Sequence, residues 1–156
     1  MCTNFLLQAG TGFVNGRSME FGMPLHSAVF RRPAGHHYTQ LLSGSGFGFS
    51  WTGKYGFVGL NGGGIDIAAD GLNSEGLATG ALWLVSTQYQ TVTDAAKGLC
   101  VDYFVEWILS SFATCAEVQA ALEAGTVQVA PPVALKGFPP LHFPVHDAAE
   151  IGRAHV

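Results

Sequence analysis

The second residue of the chain is a cysteine, in the opening Met1-Cys2-Thr3-Asn4. Methionine aminopeptidase removes an initiator methionine when the next residue is small, so we expect the mature chain to begin at Cys2. That residue then carries both a thiol and a free α-amine, whose unperturbed pKa of roughly 7.7–8.0 lets it take the thiol proton near neutral pH. Such a residue is a nucleophile and its own base. A cysteine near a terminus is by itself more often incidental, so other residues must support this interpretation.

Arg17 and Glu20 are the next residues whose types suit this chemistry. The segments Asn4–Gln8 and Gly12–Arg17 predict a hairpin, which would bring Arg17 alongside Cys2 on the neighbouring strand. A guanidinium there lowers the pKa of a thiol and can hold a substrate carboxylate or carbonyl. Glu20 can accept a hydrogen bond from the α-amine. The alternative is a surface Arg–Glu pair worth about 0–1 kcal/mol.

Composition limits the function classes. The 156 residues suffice for one domain with a sizeable core. Hydrophobic residues make up 48% and charged residues only 12%, which indicates a compact, β-rich chain rather than a disordered one. Lys and Arg together number 7 and the net charge is −4, so we expect no nucleic-acid partner.

The sequence also predicts neither a membrane partner nor a leader segment. No apolar run approaches the roughly 18 residues of a membrane-spanning helix. No basic and apolar leader precedes Cys2, so we expect a cytoplasmic protein from the sequence as it stands.

Metal and cofactor signals are weak. The three cysteines are an odd count without metal-site spacing, and the glycine-rich segments lack the remaining residues of a nucleotide-binding loop. His36 and His37 have no acidic or cysteine neighbour. His142 and His146 have the spacing of a helical zinc site, but Pro144 between them favours a strand. We therefore predict no cofactor and no metal.

The elements that must position these residues are strands first and helices later. The first half predicts antiparallel strands, including a hairpin between Gly46–Ser50 and Tyr55–Leu60. Further strands are predicted at Leu25–Arg31, Ile65–Asp70 and Leu77–Val85.

The second half predicts two helices and another strand. Apolar residues from Cys100 to Phe112 follow helical spacing. Thr114 and Glu117 form a capping box for a second helix that runs to about Ala124, and Gly125 ends it. Leu141–Val145 predicts a strand. Strands followed by helices and a further strand are typical of an α+β fold with segregated layers.

The last six residues, Ile151-Gly152-Arg153-Ala154-His155-Val156, show no helix or strand pattern. They match one reading frame of a common sequencing adapter. We interpret 151–156 as a translated artefact of a truncated gene, and 1–150 as the N-terminal part of a single domain.

Three separated motifs support the catalytic interpretation of Cys2. Met1-Cys2-Thr3, then Gly16-Arg17-Ser18-Met19-Glu20, then Ala69-Asp70-Gly71-Leu72-Asn73-Ser74-Glu75-Gly76-Leu77 occur in this order. Their order and spacing resemble the choloylglycine hydrolase family of N-terminal nucleophile hydrolases, which includes bile salt hydrolases and penicillin V acylases. The resemblance implies an αββα sandwich of four layers, of which this chain is the N-terminal half, and a full-length homotetramer.

The resemblance also implies roles for four residues. Cys2 is the nucleophile, its amine the base, and Arg17 the arginine beside the nucleophile. Glu20 stands where bile salt hydrolases have Asp. Trp83 stands where those of Gram-positive bacteria have an oxyanion-hole Asn, and its backbone N–H can still donate to an oxyanion. Both departures are similar to the Gram-negative branch. A second oxyanion-hole Asn and a second Arg are expected downstream of this chain.

The implied reaction is hydrolysis of an N-acyl amide through a thioester, with conjugated bile salts, penicillin V and acyl homoserine lactones as candidate small-molecule substrates. We expect this 156-residue chain alone to be weakly active or inactive. Two alternatives stay open. A glutamine amidotransferase domain also begins Met-Cys, although it usually continues with Gly where this chain has Thr3. In a non-catalytic β-rich binding domain, Cys2 would be incidental.

Overall fold

The computed structural model describes residues 2–39, 48–133, 140–148 and 151–154. Its two α-helices are α1 (Phe104–Ser111) and α2 (Cys115–Glu123), and short 3-10 turns span Ala95–Lys97 and Val101–Tyr103. The strands are β1 (Asn4–Ala9), β2 (Gly12–Arg17), β3 (Val29–Arg32), β4 (His37–Tyr38), β5 (Trp51–Thr52), β6 (Phe57–Asn61), β7 (Ala68–Asn73), β8 (Ala78–Gly80), β9 (Leu82–Trp83), β10 (Gly98–Cys100), β11 (Gln128–Ala130), β12 (Leu141–His146) and β13 (Ile151–Ala154).

A seven-stranded sheet forms the centre of the molecule. Its order is β13-β12-β8-β7-β6-β3, and β9 continues the pairing of β8 along β12. All these pairings are antiparallel, as the sequence predicts for the first half of the chain. Three two-stranded units complete the described strands: the hairpin β1–β2, the pair β4–β5 and the parallel pair β10–β11.

Helix α1 covers one face of this sheet. Phe104, Trp107 and Ile108 are at most 2% exposed and belong to the main apolar core, which also contains Phe57 and Phe143 from the sheet. Burying each such side chain contributes roughly 1.5–3 kcal/mol. Within the described ranges, neither helix has the length and apolar character needed to cross a membrane.

Gly71 permits the close approach of α1 to the sheet. A Cβ atom at this position would lie 2.6 Å from Cδ1 of Leu109 and 2.7 Å from the carbonyl oxygen of Val58. Such distances are well inside van der Waals contact, so only glycine fits between β6 and the helix.

The opposite face of the sheet is only partly covered. The hairpin β1–β2 lies against part of it, through contacts of Asn4 and Arg17 described below. Elsewhere on this face Val29 is 72% exposed, and Val58 and Leu72 are each 52% exposed. The β1–β2 hairpin is therefore the start of a second layer, placed opposite the helices.

The capping box predicted for α2 is confirmed. The Glu117 N–H donates to Thr114 Oγ1 at 3.2 Å, and Glu117 Oε2 accepts from the Ala113 N–H at 2.7 Å. Gly125 follows the helix with φ of +61°, the left-handed conformation typical of a residue just past a helix end.

The predicted hairpin between Gly46–Ser50 and Tyr55–Leu60 is wrong in its pairing. Strand β5 pairs with β4, while β6 lies between β3 and β7. Residues 46 and 47 lie outside the described ranges. A central strand needs a partner on each side. Strand β7 follows β6 directly in the chain, but β3 ends at Arg32, well before β6 begins at Phe57, so local turn signals did not reveal that pairing.

Part of the C-terminal segment also differs from expectation. Ile151–Ala154 forms β13, whose register with β12 runs from His146 opposite Ile151 to Phe143 opposite Ala154. An open sheet edge presents backbone N–H and C=O groups that pair with an extended segment of almost any sequence. A strand can therefore form where side chains show no strand pattern. The interpretation of these residues as a translated artefact stays a prediction.

Candidate active site

The predicted hairpin around the N-terminus is confirmed, and its pairing continues almost to Cys2. Asn4 lies opposite Arg17 in the register of β1 with β2. The Ser18 N–H donates to the Thr3 carbonyl at 2.9 Å, and the Thr3 N–H donates to Ser18 Oγ at 3.0 Å. Side chains alternate along a strand, so Cys2 and Asn4 lie on one face together with Arg17, the partner of Asn4.

Arg17 is held in place by Asp70 of β7. Its Nη1 lies 2.9 Å from Asp70 Oδ2 and 3.4 Å from the Ala69 carbonyl oxygen. Only 9% of the Arg17 side chain and 24% of the Asp70 side chain are exposed, so this ion pair is largely shielded from water. Burial raises the pKa of Asp70, and the hydrogen bond and charge of Arg17 offset part of that rise.

Gly80 makes room for this ion pair. It lies opposite Asp70 in the register of β7 with β8. A Cβ atom there would lie 2.9 Å from Arg17 Nη1 and closer still to Asp70 Oδ2. The sequence motifs indicate Arg17 but do not reveal Asp70 and Gly80 as its neighbours, because the ion pair joins residues more than fifty positions apart.

Cys2 opens onto a cavity of about 280 Å³. Small-molecule sites usually measure roughly 300–1,000 Å³, so this cavity is slightly smaller than that range. The walls combine apolar side chains with polar groups from β1 and β12: Cys2, Asn4, Phe5, Leu6, Leu82, His142, Pro144 and His146.

A second cavity, of about 70 Å³, lies beside Arg17. Its walls are mostly apolar and include Met19, Phe21 and Ile67. It is about half the size of an apolar void of roughly 150 Å³ that accepts benzene. Arg17 therefore borders a small apolar recess, while Cys2 lines the larger and more polar cavity.

Cys2 differs from the other two cysteines in its surroundings. None of the three forms a disulfide within the part of the chain that the structure describes, but Cys100 and Cys115 are buried, whereas Cys2 is partly exposed. Burial raises the pKa of the Cys100 thiol to about 12, so that thiol is protonated and unreactive at neutral pH.

Glu20 and Trp83 do not line either cavity among the residues that the structure describes. Glu20 is exposed. Trp83 is 45% exposed and pairs with Leu141, whereas its neighbour Leu82 is 3% exposed and faces the Cys2 cavity. The roles suggested for Glu20 and Trp83 stay predictions.

His146 is a polar residue of the Cys2 cavity for which the sequence suggests only a weak metal-ligand role. It is 3% exposed, and its Nε2 hydrogen-bonds to Asn4 Oδ1. Burial lowers the pKa of its imidazole, which favours the neutral ring. In the described ranges, no group of three His, Cys, Asp or Glu side chains is arranged to hold a metal ion.

Comparison with known proteins connects this arrangement to a family. The choloylglycine hydrolase family, described as linear amide C–N hydrolases, matches residues 2–153. A penicillin V acylase from Pectobacterium atrosepticum is 36% identical over an alignment of 85 residues, and the match covers 49% of this chain and 22% of that protein.

Two solved structures share the fold. Penicillin V acylase from Agrobacterium tumefaciens matches with a TM-score of 0.79 and 24% identity over 99% of this chain and 49% of its own. A C2A mutant of conjugated bile acid hydrolase from Clostridium perfringens matches with a TM-score of 0.77 and 20% identity over 99% of this chain and 51% of its own. The chain therefore spans about half the length of these proteins, and the predicted α+β fold of N-terminal nucleophile hydrolases is confirmed. The match of the family over residues 2–153 shows that the chain belongs to the choloylglycine hydrolase family of linear amide C–N hydrolases.

Proposed function

We propose that this chain carries the nucleophile of an enzyme that hydrolyses N-acyl amides, and that Cys2 is that nucleophile. The observation that supports this most directly is the position of Cys2. It is a partly exposed thiol just before β1, on the wall of a 280 Å³ cavity, and it precedes by two residues Asn4, which pairs with Arg17. The family of linear amide C–N hydrolases supplies the reaction class.

In the proposed reaction, removal of Met1 frees the α-amine of Cys2. The amine takes the thiol proton, and Sγ attacks the amide carbonyl carbon to form a tetrahedral oxyanion. The oxyanion collapses, the C–N bond breaks, and the α-ammonium protonates the leaving amine. Water, deprotonated by the same amine, then attacks the thioester, releasing the carboxylic acid and regenerating the thiol.

Arg17 has two roles in this proposal. Its positive charge would attract the sulfur anion that forms when the amine takes the thiol proton, and its guanidinium can hold a substrate carboxylate or carbonyl. The ion pair with Asp70 limits the rotamers that Arg17 can adopt. An arginine already held in this way loses less conformational entropy when substrate binds.

Glu20 and Trp83 have further roles in the proposed site. Glu20 would accept a hydrogen bond from the α-amine and orient it. The backbone N–H of Trp83 would donate to the oxyanion. Removing one oxyanion donor typically costs about 10²–10³ in turnover. A second donor and a second arginine would have to come from outside these 156 residues, so we expect weak or no turnover by the chain alone.

Penicillin V is the first substrate to test. Two of the relatives named above are penicillin V acylases, and the third acts on conjugated bile acids. A cavity of about 280 Å³ accommodates a phenoxyacetyl group more easily than a steroid. Acyl homoserine lactones are a further N-acyl amide substrate of suitable size. Family membership favours this reaction over the glutamine amidotransferase alternative.

Selective alkylation tests the assignment of Cys2. The purified chain is treated with iodoacetamide, and each cysteine peptide is quantified by mass spectrometry over time. We expect Cys2 to react at least about tenfold faster than Cys100 and Cys115, because both of those thiols are buried. Hydrolysis of penicillin V, where measurable, should disappear in Cys2→Ala. Undiminished hydrolysis in that variant would overturn the assignment and leave the non-catalytic alternative.

A further inference from the structure

We propose that His146 is a positioning residue that holds the Cys2 end of β1 against the central sheet through Asn4. The inference rests on the proposed function of Cys2 as nucleophile. It starts from the geometry of the Cys2 cavity, whose walls include Asn4 from the hairpin and His146 from β12. The two side chains are joined by a hydrogen bond between Asn4 Oδ1 and His146 Nε2.

Asn4 is well placed to transmit this contact to the nucleophile. It lies two residues after Cys2 on the same face of β1, and the backbone between them is bonded to Ser18. A displacement of Asn4 from β12 would therefore carry Cys2 with it, away from the cavity and from the charge of Arg17.

The hairpin is fastened to the sheet by side chains at two separate places. The Arg17–Asp70 ion pair attaches β2 to β7. The Asn4–His146 hydrogen bond attaches β1 to β12, on the other side of β8 in the strand order. One contact alone would let the hairpin rotate relative to the sheet, whereas two contacts fix its orientation. Of the two, the Asn4–His146 hydrogen bond is closer in sequence to Cys2.

The hydrogen-bond pattern assigns the ring tautomer of His146. Asn4 Nδ2 donates to Asn15 Oδ1 at 3.4 Å, so Asn4 Oδ1 is the acceptor that faces the ring. The proton of the neutral imidazole is then on Nε2, and Nδ1 has a lone pair. Nδ1 is buried and has no hydrogen-bond partner among the described residues.

A buried histidine with one unpaired ring nitrogen would lower the stability of the fold if His146 only filled space. A buried ring nitrogen without a partner loses its hydration, and an apolar side chain would avoid that cost. The alternate residues on the other face of β12, Phe143 and Val145, are apolar and buried in the core. The polar ring is needed only where it meets Asn4, which is why we assign it a positioning role rather than a packing role.

The test compares His146→Leu with a matched control on β8, the strand that pairs with β12. Thr79→Val removes the buried hydrogen bond from Thr79 Oγ1 to the Pro144 carbonyl of β12 at 2.8 Å. Thr79 lies opposite Gly71, whose position meets Leu109 of α1, so it is on the sheet face that the helix covers and not on the face of the hairpin. Both variants lose one hydrogen bond to β12, so the comparison separates a general loss of stability from an effect on Cys2.

The readouts are the iodoacetamide alkylation rate of Cys2, amide hydrogen exchange in β1, and the thermal unfolding midpoint. We expect His146→Leu to slow alkylation about fivefold and to speed exchange in β1, because the thiol moves away from the positive charge of Arg17. Thr79→Val should leave the alkylation rate of Cys2 and the amide exchange in β1 unchanged, although it should lower the thermal unfolding midpoint. His146→Gln, whose amide N–H replaces Nε2–H, should retain most of the alkylation rate.

Two further variants keep the result decisive. Asn4→Leu should slow alkylation as His146→Leu does, and the double variant should be no slower than either single one. If His146→Leu does not fold, Asn4→Leu and His146→Gln carry the test. Equal alkylation of Cys2 in the wild-type chain, Asn4→Leu and His146→Leu would overturn the inference. If the alkylation rates are equal but Cys2→Ala abolishes hydrolysis, only the role of His146 is overturned and Cys2 remains the proposed nucleophile. If Cys2→Ala retains hydrolysis, the proposed function itself is overturned.

Discussion

Arg17 owes its orientation to residues far from it in the sequence. Its guanidinium lies 2.9 Å from Asp70 Oδ2, and Gly80 leaves the space that both side chains need. The residue type alone shows that an arginine is charged, but it does not show which way the guanidinium points. At the residue scale, the site therefore depends on Gly80, which has no side-chain functional group.

Gly80→Ala should disturb this ion pair. We expect a loss of about 1–3 kcal/mol in the free energy of unfolding, because the new Cβ would overlap the Arg17–Asp70 contact. Urea denaturation measures that loss, and iodoacetamide alkylation should show slower reaction of Cys2 when Arg17 shifts. The matched control is Gly22→Ala, since a Cβ atom at Gly22 meets nothing within 4 Å. Equal stability and equal alkylation rates for the two variants would contradict this role of Gly80.

The turn between β7 and β8 is organised by one buried side chain. Asn73 Nδ2 donates to the carbonyl oxygens of Leu109 and Phe112 at 2.9 and 2.7 Å. Its Oδ1 accepts from the Glu75 and Leu77 N–H groups at 3.0 and 2.9 Å. At the scale of elements, Asn73 thus joins the β7–β8 turn to the C-terminal end of α1. The sequence predicts a turn here, while the helix contact depends on the three-dimensional fold.

Asn73→Asp should destabilise the fold strongly despite its similar shape. A carboxylate cannot donate, so two carbonyl oxygens lose their partners and face a buried negative charge. We expect a loss of about 3 kcal/mol in the free energy of unfolding, measured by urea denaturation. Ser74→Ala, in the exposed part of the same turn, should cost less than about 0.5 kcal/mol. Similar losses in the two variants would show that the side-chain bonds of Asn73 contribute little.

The whole molecule has one covered face and one partly open face. Helix α1 buries one side of the central sheet, while Val29, Val58 and Leu72 on the other side remain more than half exposed. The two related proteins are about twice as long, and this chain covers 49% of the length of one and 51% of the length of the other. Exposed apolar side chains grouped on a sheet face promote self-association and low solubility.

Replacing apolar residues on the open face should reduce self-association. We expect the wild-type chain to show a mass that rises with concentration in light scattering, and Val29→Thr/Val58→Thr to lower that rise. Thr keeps the β-branched shape that suits a strand, so the sheet should persist. Val85→Thr is the control, because Val85 is 77% exposed but lies outside the sheet. An equal reduction by Val85→Thr would indicate a general effect of hydrophobicity rather than this face.

Local patterns in the sequence determined several features by themselves. The hairpin that ends at Arg17 and the capping box at Thr114 and Glu117 are confirmed, because the interactions that define them are local in sequence. The strand beginning at Leu141 is also confirmed, although its partners β8 and β9 are distant in sequence. The motifs beginning at Cys2 and Gly16 also indicated the family, since their residue types reflect a chemistry that few other groups can perform.

Only the tertiary structure decided which distant residues meet. It placed β6 between β3 and β7, paired Arg17 with Asp70, and brought His146 to Asn4 across 142 positions of sequence. Strand pairing is selected by the burial of whole sheet faces, and a single strand segment does not specify its partner. For this protein, the sequence alone determined the chemical groups at the N-terminus, and the packing of the hairpin on the sheet determined which cavity and which partners surround them.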